Sequence, residues 1–320
     1  AYAFLLAAAR YCKMTDCVIV QPIASCGVEL LKNAGLSVFE ADSMDLAALK
    51  PHLKNAKAVI TRNKGFSAEA IDASPKLAII ASHGTGTDKI AHAAANKRGI
   101  RIVNTPGSNA NSVAEHAISL MFACARQILT ADNAVRLGDW SIRERTKPRE
   151  ISKFRIGLVG YGHVAQKLAV LVRGLGMSIF VYSKSASDYD LSKVGAKRMS
   201  CLEELLAVSQ IISLHGLPGK TPILNEPLLS KMSADTILIN TARAALIDEI
   251  ALVKLLREGR IAAAGLDVFS DEPLPDNSPL LNCPNLILTP HMGGVGVEAM
   301  NRTSREVALK IIEGLGIASP

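Results

Sequence analysis

Residues 155–184 read RIGLVGYGHVAQKLAVLVRGLGMSIFVYSK, and this stretch decides the fold. An apolar run ends in a glycine turn, GYGHV at 160–164, after which a helical pattern leads to a second apolar run from residue 178. A strand, a glycine turn, a helix and a strand in this order are typical of a unit that binds a dinucleotide. Gly160 permits the tight turn, and Gly162 lets the backbone approach a pyrophosphate at the N-terminus of the helix.

The composition fits a protein of two α/β domains. The chain has 320 residues, of which 49% are hydrophobic and only 4% aromatic. A core rich in aliphatic side chains suits helices packed on buried parallel strands. The net charge of +7 comes from scattered basic residues, so it favours anionic ligands and does not predict binding to nucleic acid.

The six cysteines show no metal-binding spacing. They stand at positions 12, 17, 26, 124, 201 and 283, without a CxxC pair or a Cys/His ligand pattern. Free thiols of this kind are typical of a reducing compartment, so we predict a cytoplasmic protein and no metal site.

The first residues read AYAFLLAAARYCK and differ in pattern from the rest of the chain. Their apolar part is too short to span a bilayer, and no basic region precedes it, so neither membrane attachment nor a secretory signal is expected. Met14 is followed directly by a plausible strand. We therefore expect the native chain to start at Met14 and residues 1–13 to be an extension.

Apolar runs alternate with helical patterns from residue 17 onward, in two successive series. The predicted strands of the first series are residues 17–21, 36–40, 58–61, 77–82 and 101–104, with helices between them, for example 45–53 and 88–98. One long helix is predicted from residue 109 to about 137, then a segment without periodicity to 153. The predicted strands of the second series are residues 155–159, 178–182, 211–214, 236–240, 261–267 and 286–289, and a last helix covers 297–313.

Chemically useful side chains follow three strands of the second series. Arg243 comes after one strand, Glu272 after the next, and His291 after the last. In open α/β sheets, ligands bind beyond the carboxyl ends of the strands. A nicotinamide reaction needs a group that exchanges a proton and a cation that holds the substrate, and these three side chains supply both.

These segments resemble the D-isomer-specific 2-hydroxyacid dehydrogenases over residues 17 to 315. Beside the glycine turn, the motifs are SHGTGTDKI at 82–90, NTPGSNANSVAEHAISLMFACAR at 104–126, GDW at 138–140, INTARAALIDE at 239–249, GLDVFSDEP at 265–273 and TPHMGG at 289–294. The resemblance implies two Rossmann-like or flavodoxin-like α/β domains with parallel sheets. The dinucleotide-binding domain, 105–290, is expected to be inserted into a substrate domain made of 14–104 and 291–320, with the catalytic cleft between them.

The resemblance also assigns the catalytic roles. Arg243 would grip the substrate carboxylate and polarise the 2-oxo group, and His291 would exchange the proton. Glu272 would orient the ring of His291 and raise its pKa. Family members usually carry Gly where this chain has Ala244, which would be strained by about 1 kcal/mol if the site required positive φ.

The cofactor and substrate contacts follow from the glycine turn and the resemblance. Arg62 is a substrate candidate, although a solvated loop charge is about as plausible, and Asp267 would bond the nicotinamide carboxamide unless it only caps its loop. The other histidines, His116 among them, are interpreted as helix-face or solvent residues. The expected cofactor contacts are Gly160, Tyr161, Gly162, His163, Val164, Ser183, Lys184, His215, Gly216, Leu217, Thr221, Thr241, Ala242, Asp267 and Gly293, and the expected substrate contacts are Arg62, Gly84, Thr85, Gly86, Arg243 and His291.

The end of the second strand of the dinucleotide unit predicts the cofactor. Enzymes that use NAD usually place an acid there, on the ribose 2′-hydroxyl, but this chain has Ser183 and Lys184. A hydroxyl and an ammonium attract a 2′-phosphate, and Asp188 and Asp190 are expected further on, in the following loop. We therefore predict NADP as the preferred cofactor, with NAD possible.

The expected function is reversible reduction of a small 2-oxoacid, glyoxylate or hydroxypyruvate, to the D-2-hydroxyacid. D-3-phosphoglycerate dehydrogenase is the alternative within the class, although the chain ends without room for the regulatory domain that many of those carry. Formate dehydrogenase chemistry is not expected, because the Glu–His pair is kept. A cofactor-sensing corepressor ranks lower, and a structural protein conflicts with the glycine turn. The long helix from residue 109 lies where relatives form dimers, so a homodimer is expected.

Overall fold

The structure is a computed structural model, and it describes residues 15–318. The expected extension, residues 1–13, lies outside the described residues. The strands are β1 (Cys17–Ile19), β2 (Val38–Glu40), β3 (Ala58–Thr61), β4 (Ile79–Ser82), β5 (Arg101–Asn104), β6 (Arg155–Val159), β7 (Ser178–Tyr182), β8 (Lys197–Arg198), β9 (Ile211–Leu214), β10 (Ile237–Asn240), β11 (Ala263–Leu266) and β12 (Leu286–Leu288).

Helices connect most of these strands. They are α1 (Ser25–Asn33), α2 (Leu46–Leu53), α3 (Ala68–Asp72), α4 (His92–Lys97), α5 (Ala110–Arg126), α6 (Ile128–Arg136), α7 (Ile142–Arg145), α8 (His163–Gly174), α9 (Asp188–Lys193), α10 (Leu202–Val208), α11 (Glu226–Leu229), α12 (Glu249–Arg257) and α13 (Val297–Gly314). A short 3-10 helix covers Ala244–Leu246. None of the helices in residues 15–318 combines the length and apolarity needed to cross a membrane.

The chain divides into two compact units. Within the described residues, the first unit comprises residues up to Asn109 together with those from Val295 onward, and the second comprises Ala110–Gly294. The second unit thus interrupts the sequence of the first. Each contains one sheet, and all strand pairs in both sheets are parallel. This confirms the expected α/β fold class with two parallel sheets.

The first unit has the strand order β2-β1-β3-β4-β5, which is the flavodoxin-like order. Because side chains alternate along a strand, neighbouring residues enter different cores. In β4, Ile79 packs on one face with α1 and α13, and Ile80 packs on the other with α2 and α3. Both faces are therefore buried, which explains the continuous apolar runs in the sequence.

The second unit has the strand order β12-β11-β10-β9-β6-β7-β8. The order reverses between β6 and β9, and the carboxyl ends of strands at such a switch point border a ligand crevice. On one face, the fully buried Leu168 of α8 packs with Met121 of α5. On the other face, Leu205 and Leu252 fill the core. The sheet has one strand more than the sequence predicted, because β8 is only two residues long.

Several predicted elements needed correction. The predicted helix 109–137 is two helices, since Gln127 adopts φ +52 between α5 and α6. The predicted helix 88–98 shortens to His92–Lys97, and the segment 138–153 contains α7. Asp188 and Asp190 lie in α9, not in a loop, because the Ser187 side chain accepts a hydrogen bond from the Asp190 N–H and caps the helix.

Candidate active site

Glu272 and His291 are hydrogen-bonded to each other at the carboxyl end of the second sheet. Nδ1 of His291 donates to Oε1 of Glu272 at 2.8 Å, and Oε1 also accepts from the Phe269 N–H at 3.3 Å. The His291 side chain is 29% exposed and that of Glu272 only 14%. With Nδ1 held by the carboxylate, Nε2 is the ring nitrogen that can exchange a proton with a ligand.

His291 adopts φ +55, in the left-handed region that a residue with a Cβ seldom occupies. Such a conformation costs about 1–2 kcal/mol and persists only where the surroundings fix it. Asp267 does so here, because its carboxylate accepts from the N–H groups of Met292 and Gly293, both at 2.8 Å. Its side chain therefore organises the loop that presents His291.

The same carboxylate joins a network that includes a histidine missed in the sequence. Thr289 donates its hydroxyl to Asp267 at 2.6 Å, and Nε2 of His116 lies 2.9 Å from that hydroxyl and 3.3 Å from Asp267 Oδ1. Burial raises the pKa of Asp267, but the hydrogen bonds from His116, Thr289 and the two backbone N–H groups outweigh it and hold the pKa below its usual value.

His116 does lie on a helix, as interpreted, but its side chain joins this network and does not point into solvent. His116 lies in α5, and its partner Thr289 is 173 residues away in sequence, so no local pattern could show these contacts. Both carboxylate oxygens of Asp267 accept hydrogen bonds from the loop between Thr289 and Gly293. This matches the loop-capping role, which was the alternative to a contact with the nicotinamide.

Arg243 follows β10, the strand that pairs with β11. The Asn240 side chain shapes the turn that carries it, accepting from the Ala242 N–H at 3.0 Å and donating to the Arg243 carbonyl at 2.8 Å. One Arg243 guanidinium nitrogen donates to the Ala242 carbonyl at 2.7 Å. The concern about Ala244 does not hold, because this residue lies in the 3-10 helix and outside the left-handed region.

The glycine turn fits a bound dinucleotide. Gly160 has φ +91, and a Cβ on it would lie 2.8 Å from the backbone of His215. A Cβ on Gly162, in contrast, would meet nothing within 4 Å, so the backbone is open to a ligand there. Gly162 is also the N-cap of α8 and offers no side chain, which leaves the first N–H groups of the helix to an anion such as a pyrophosphate.

Other predicted cofactor contacts vary in how well they suit that role. The Thr241 hydroxyl is buried and finds no hydrogen-bond partner within residues 15–318, which fits a polar ligand group at the end of β10. Tyr161 is buried in the core, so only its backbone could meet a cofactor. His163, Leu217 and Thr221 are exposed, and Val164, Ala242 and Gly216 are partly exposed.

His215 is held beside the glycine turn in a neutral form. Its Nε2 lies 2.9 Å from the Ser213 hydroxyl, and burial lowers its pKa to about 4. At neutral pH it is therefore an uncharged hydrogen-bonding group. Its role as a cofactor contact stays a prediction.

The loop after β7 carries the residues expected to select the cofactor. The Ser183 hydroxyl accepts from the N–H groups of Ser185 and Ala186 at 3.4 and 3.3 Å. This bonding leaves the hydroxyl proton for another acceptor. Lys184 is exposed.

In the first unit, the candidate substrate contacts lie on two loops. Arg62 follows β3, is partly buried, and donates to the Pro22 carbonyl at 2.9 Å, and burial lowers its pKa. A side chain missed in the sequence, Gln21, shapes this loop by accepting from the N–H groups of Arg62 and Lys64. Arg62 is thus not a freely solvated loop charge.

The loop Gly84–Gly86 follows β4. Gly84 has φ +138, and its N–H donates to the Thr105 hydroxyl at 2.9 Å. The Thr85 carbonyl accepts from the Asn104 side chain, and that of Gly86 from the Ser82 hydroxyl. Because the Gly84 N–H is engaged, the N–H groups of Thr85 and Gly86 are the ones in this loop to consider for a carboxylate.

A metal centre finds no support in the part of the chain that is described, where no three His, Cys, Asp or Glu residues group suitably.

Comparison with known proteins identifies the family of the chain. Residues 118–293 match the family model for the NAD-binding domain of D-isomer-specific 2-hydroxyacid dehydrogenases. A D-3-phosphoglycerate dehydrogenase of Mycobacterium leprae is 37% identical over 272 residues, which are 83% of this chain and 51% of that protein. A hydroxypyruvate reductase of Thermotoga maritima is 38% identical over 255 residues, 78% of this chain and 82% of that protein.

A solved structure, the TT0316 protein of Thermus thermophilus, superposes with a TM-score of 0.86 at 30% identity and covers 96% of this chain and 99% of its own. The second unit, with its parallel sheet and glycine turn, is a dinucleotide-binding domain. The chain belongs to the D-isomer-specific 2-hydroxyacid dehydrogenase family. It spans about half the length of the mycobacterial relative.

Proposed function

We propose that this chain reduces a small 2-oxoacid, with glyoxylate or hydroxypyruvate as the best candidates, to the D-2-hydroxyacid, and reversibly. The hydrogen bond of 2.8 Å between Glu272 and His291, at the sheet that carries the glycine turn, is the observation that supports this most. The hydroxypyruvate reductase of Thermotoga maritima, with which the chain shares 38% identity, supports the substrate class.

His291 and Glu272 handle the proton in this proposal. A nicotinamide, when bound, supplies the hydride that adds to C2 of the oxoacid. Nε2 of His291 donates a proton to the 2-oxo oxygen during reduction and takes it back during oxidation. Glu272 keeps the ring in one orientation through Nδ1 and stabilises the imidazolium that carries the proton.

Cations and backbone donors bind the substrate. The planar guanidinium of Arg243 can hold the carboxylate and the 2-oxo oxygen together, in a way that an ammonium cannot. Arg62 and the N–H groups of Thr85 and Gly86 are proposed as further carboxylate contacts. The cofactor contacts named in the sequence analysis are proposed as well. The pyrophosphate would bind at Gly162 and the N-terminus of α8.

A substrate panel tests the proposal. Glyoxylate, hydroxypyruvate and phosphohydroxypyruvate are offered with NADPH and with NADH, and consumption of the reduced nicotinamide is followed by absorbance. Turnover of the first two with NADPH is expected. Strong preference for phosphohydroxypyruvate would favour the alternative, D-3-phosphoglycerate dehydrogenase, which the mycobacterial relative supports. Tight nucleotide binding without turnover of any oxoacid would favour a corepressor-like binding protein.

Glu272→Gln separates the role of the pair from substrate binding. The amide can still accept from Nδ1, but it cannot stabilise the imidazolium, so kcat should fall by roughly 10²–10⁴ while KM changes little. Glu298→Gln, which removes an exposed carboxylate at the start of α13, is the matched control and should leave kcat unchanged. Equal kcat values for the Glu272→Gln variant and the wild type would refute the assignment.

The NADP preference rests on Ser183 and Lys184. The Ser183 hydroxyl keeps a proton to donate, and no carboxylate stands at the strand end to repel a 2′-phosphate. Ser183→Asp introduces that carboxylate and should shift the ratio of kcat/KM from NADPH towards NADH. A wild-type enzyme that clearly prefers NADH would refute the preference.

A homodimer is proposed as well. Apolar side chains at and beyond α6 are exposed to an extent that suits a second copy: Ile128, Leu129, Val135, Leu137 and Trp140, the last two 76% and 70% exposed. Sedimentation should show a dimer that Leu137→Asp weakens.

The cytoplasmic location stays a prediction, which fractionation of the source cells would check.

A further inference from the structure

One arginine that no sequence pattern singled out binds the loop after β7. Arg198 lies on the two-residue strand β8. Its guanidinium donates to the carbonyls of Ser183 and Ala186, at 3.2 and 2.6 Å. It also binds Oδ1 of Asp188 through two nitrogens, at 2.9 and 2.7 Å. Four hydrogen bonds from one planar group fix the shape of the segment from residue 183 to 188.

That segment is where a 2′-phosphate would bind, so the inference rests on the proposed function. Ser183 points its hydroxyl oxygen at the N–H groups of Ser185 and Ala186, whose positions depend on the carbonyl that Arg198 holds. Loss of Arg198 would therefore loosen the hydroxyl group and remove a positive charge next to it.

Asp188 acts in the opposite direction. Its side chain is 90% exposed, whereas that of Arg198 is 38% exposed. The carboxylate partly neutralises the arginine and adds a negative charge next to the loop, which disfavours a dianionic phosphate. A guanidinium remains charged at any physiological pH, so the balance between these two groups does not vary with pH.

We propose that Arg198 and Asp188 determine how strongly the chain discriminates between 2′-phosphorylated and unphosphorylated nucleotides. Arg198 is a positioning residue that favours the 2′-phosphate, and Asp188 limits the preference. By Coulomb's law in water, one unit charge placed a Debye length (~8 Å) from a dianion changes the affinity roughly fivefold. Asp188, screened by its exposure, should contribute about two- to threefold.

Calorimetry with two nucleotides tests this without any turnover. Adenosine 2′,5′-bisphosphate and adenosine 5′-monophosphate differ only by the 2′-phosphate, so the ratio of their Kd values isolates recognition of that group. Arg198→Met should lower the preference for the bisphosphate about fivefold, and Asp188→Asn should raise it two- to threefold. Arg198→Lys keeps the charge but loses the planar group that makes the four hydrogen bonds, so its preference should lie between those of Arg198→Met and the wild type.

Lys197→Met is the matched control, because it removes a positive charge from the same strand. Side chains of successive strand residues point to opposite faces of the sheet, so this variant should leave the ratio unchanged. The proposal would be overturned if both the Arg198→Met and the Asp188→Asn variants kept the wild-type ratio of Kd values. It would also be overturned if Arg198→Met weakened the binding of both nucleotides equally.

The test of Arg198 and Asp188 can fail or succeed independently of the proposed preference for NADP. A wild-type protein that binds the monophosphate more tightly contradicts the preference, whereas opposite shifts of the ratio in the two variants still support the role of Arg198 and Asp188. If Arg198→Met fails to fold, the comparison of Arg198→Lys and Asp188→Asn with the wild type decides.

Discussion

Two histidines whose pKa values are lowered by burial, His83 in the first unit and the partly exposed His215 in the second, should make the stability of this protein fall in mild acid. His83 of the first unit is 8% exposed, and its Nε2 lies 2.8 Å from the Ser304 hydroxyl. Burial, with a smaller contribution from the positive charge of Arg62, lowers its pKa to about 4. His215 of the second unit has its pKa lowered to about 4 by burial.

The sign follows from where the proton binds. The unfolded chain takes up a proton on each histidine as the pH falls through 6.5, but the folded unit resists it until about 4. The contribution of each histidine is therefore complete above pH 6.5 and is lost on the way down to pH 4. For His83, the loss at pH 5 works out at about 2 kcal/mol, and its limit below pH 4 at about 3 kcal/mol.

Comparison of the His83→Gln variant with the wild type isolates the contribution of His83 to the pH dependence of stability, because the two proteins have all other titrating groups in common. The lost hydrogen bond to Ser304 should make the first unit about 1 kcal/mol less stable at pH 8. At pH 5 the order should reverse, with the variant about 1 kcal/mol more stable and the curves crossing near pH 6.

Amide hydrogen exchange reports the two units separately, with β4 as the reporter of the first and β9 of the second. His83→Gln should change the pH dependence only in β4, and His215→Gln only in β9, so each variant is the control for the other. Parallel curves for the His83→Gln variant and the wild type in β4 would refute the argument, as would a His83 imidazole that titrates near 6.5 in the folded protein by NMR.

Three further substitutions test the packing and the site. Gly160→Ala should weaken nucleotide binding by at least tenfold, because a Cβ would press on the His215 backbone at a strained φ, whereas Gly174→Ala, in open space at the end of α8, should be neutral in calorimetry. Leu168→Ala, in the buried face of α8, should cost about 2–5 kcal/mol in urea unfolding, and Val170→Ala on its exposed face less than about 0.5 kcal/mol. Thr289→Val should lower kcat, because it removes the hydroxyl that donates to Asp267 and contacts His116; an unchanged kcat would contradict that role.

Most strands and helices could be predicted from the local pattern of apolar and polar residues. Runs such as residues 58–61 and 155–159 are apolar along their whole length, because both faces of a parallel sheet are buried, and the observed strands coincide with them. Errors occurred where a local pattern carries little signal. The helical periodicity continues through Gln127, although its backbone breaks the helix there, and β8 is too short to show any alternation.

The sequence by itself determined the family, the glycine turn and the order of Arg243, Glu272 and His291, because these depend on residue identity and spacing along one chain. Only the tertiary structure decided the partners of His116, Asp267 and Arg198, because such contacts join residues that are distant in sequence. The strained backbone of His291 belongs to the same group, since hydrogen bonds to a neighbouring strand end hold it. The turn at residues 160–164 thus predicts that a nucleotide binds, and the contacts around it decide how the groups that meet the nucleotide are held.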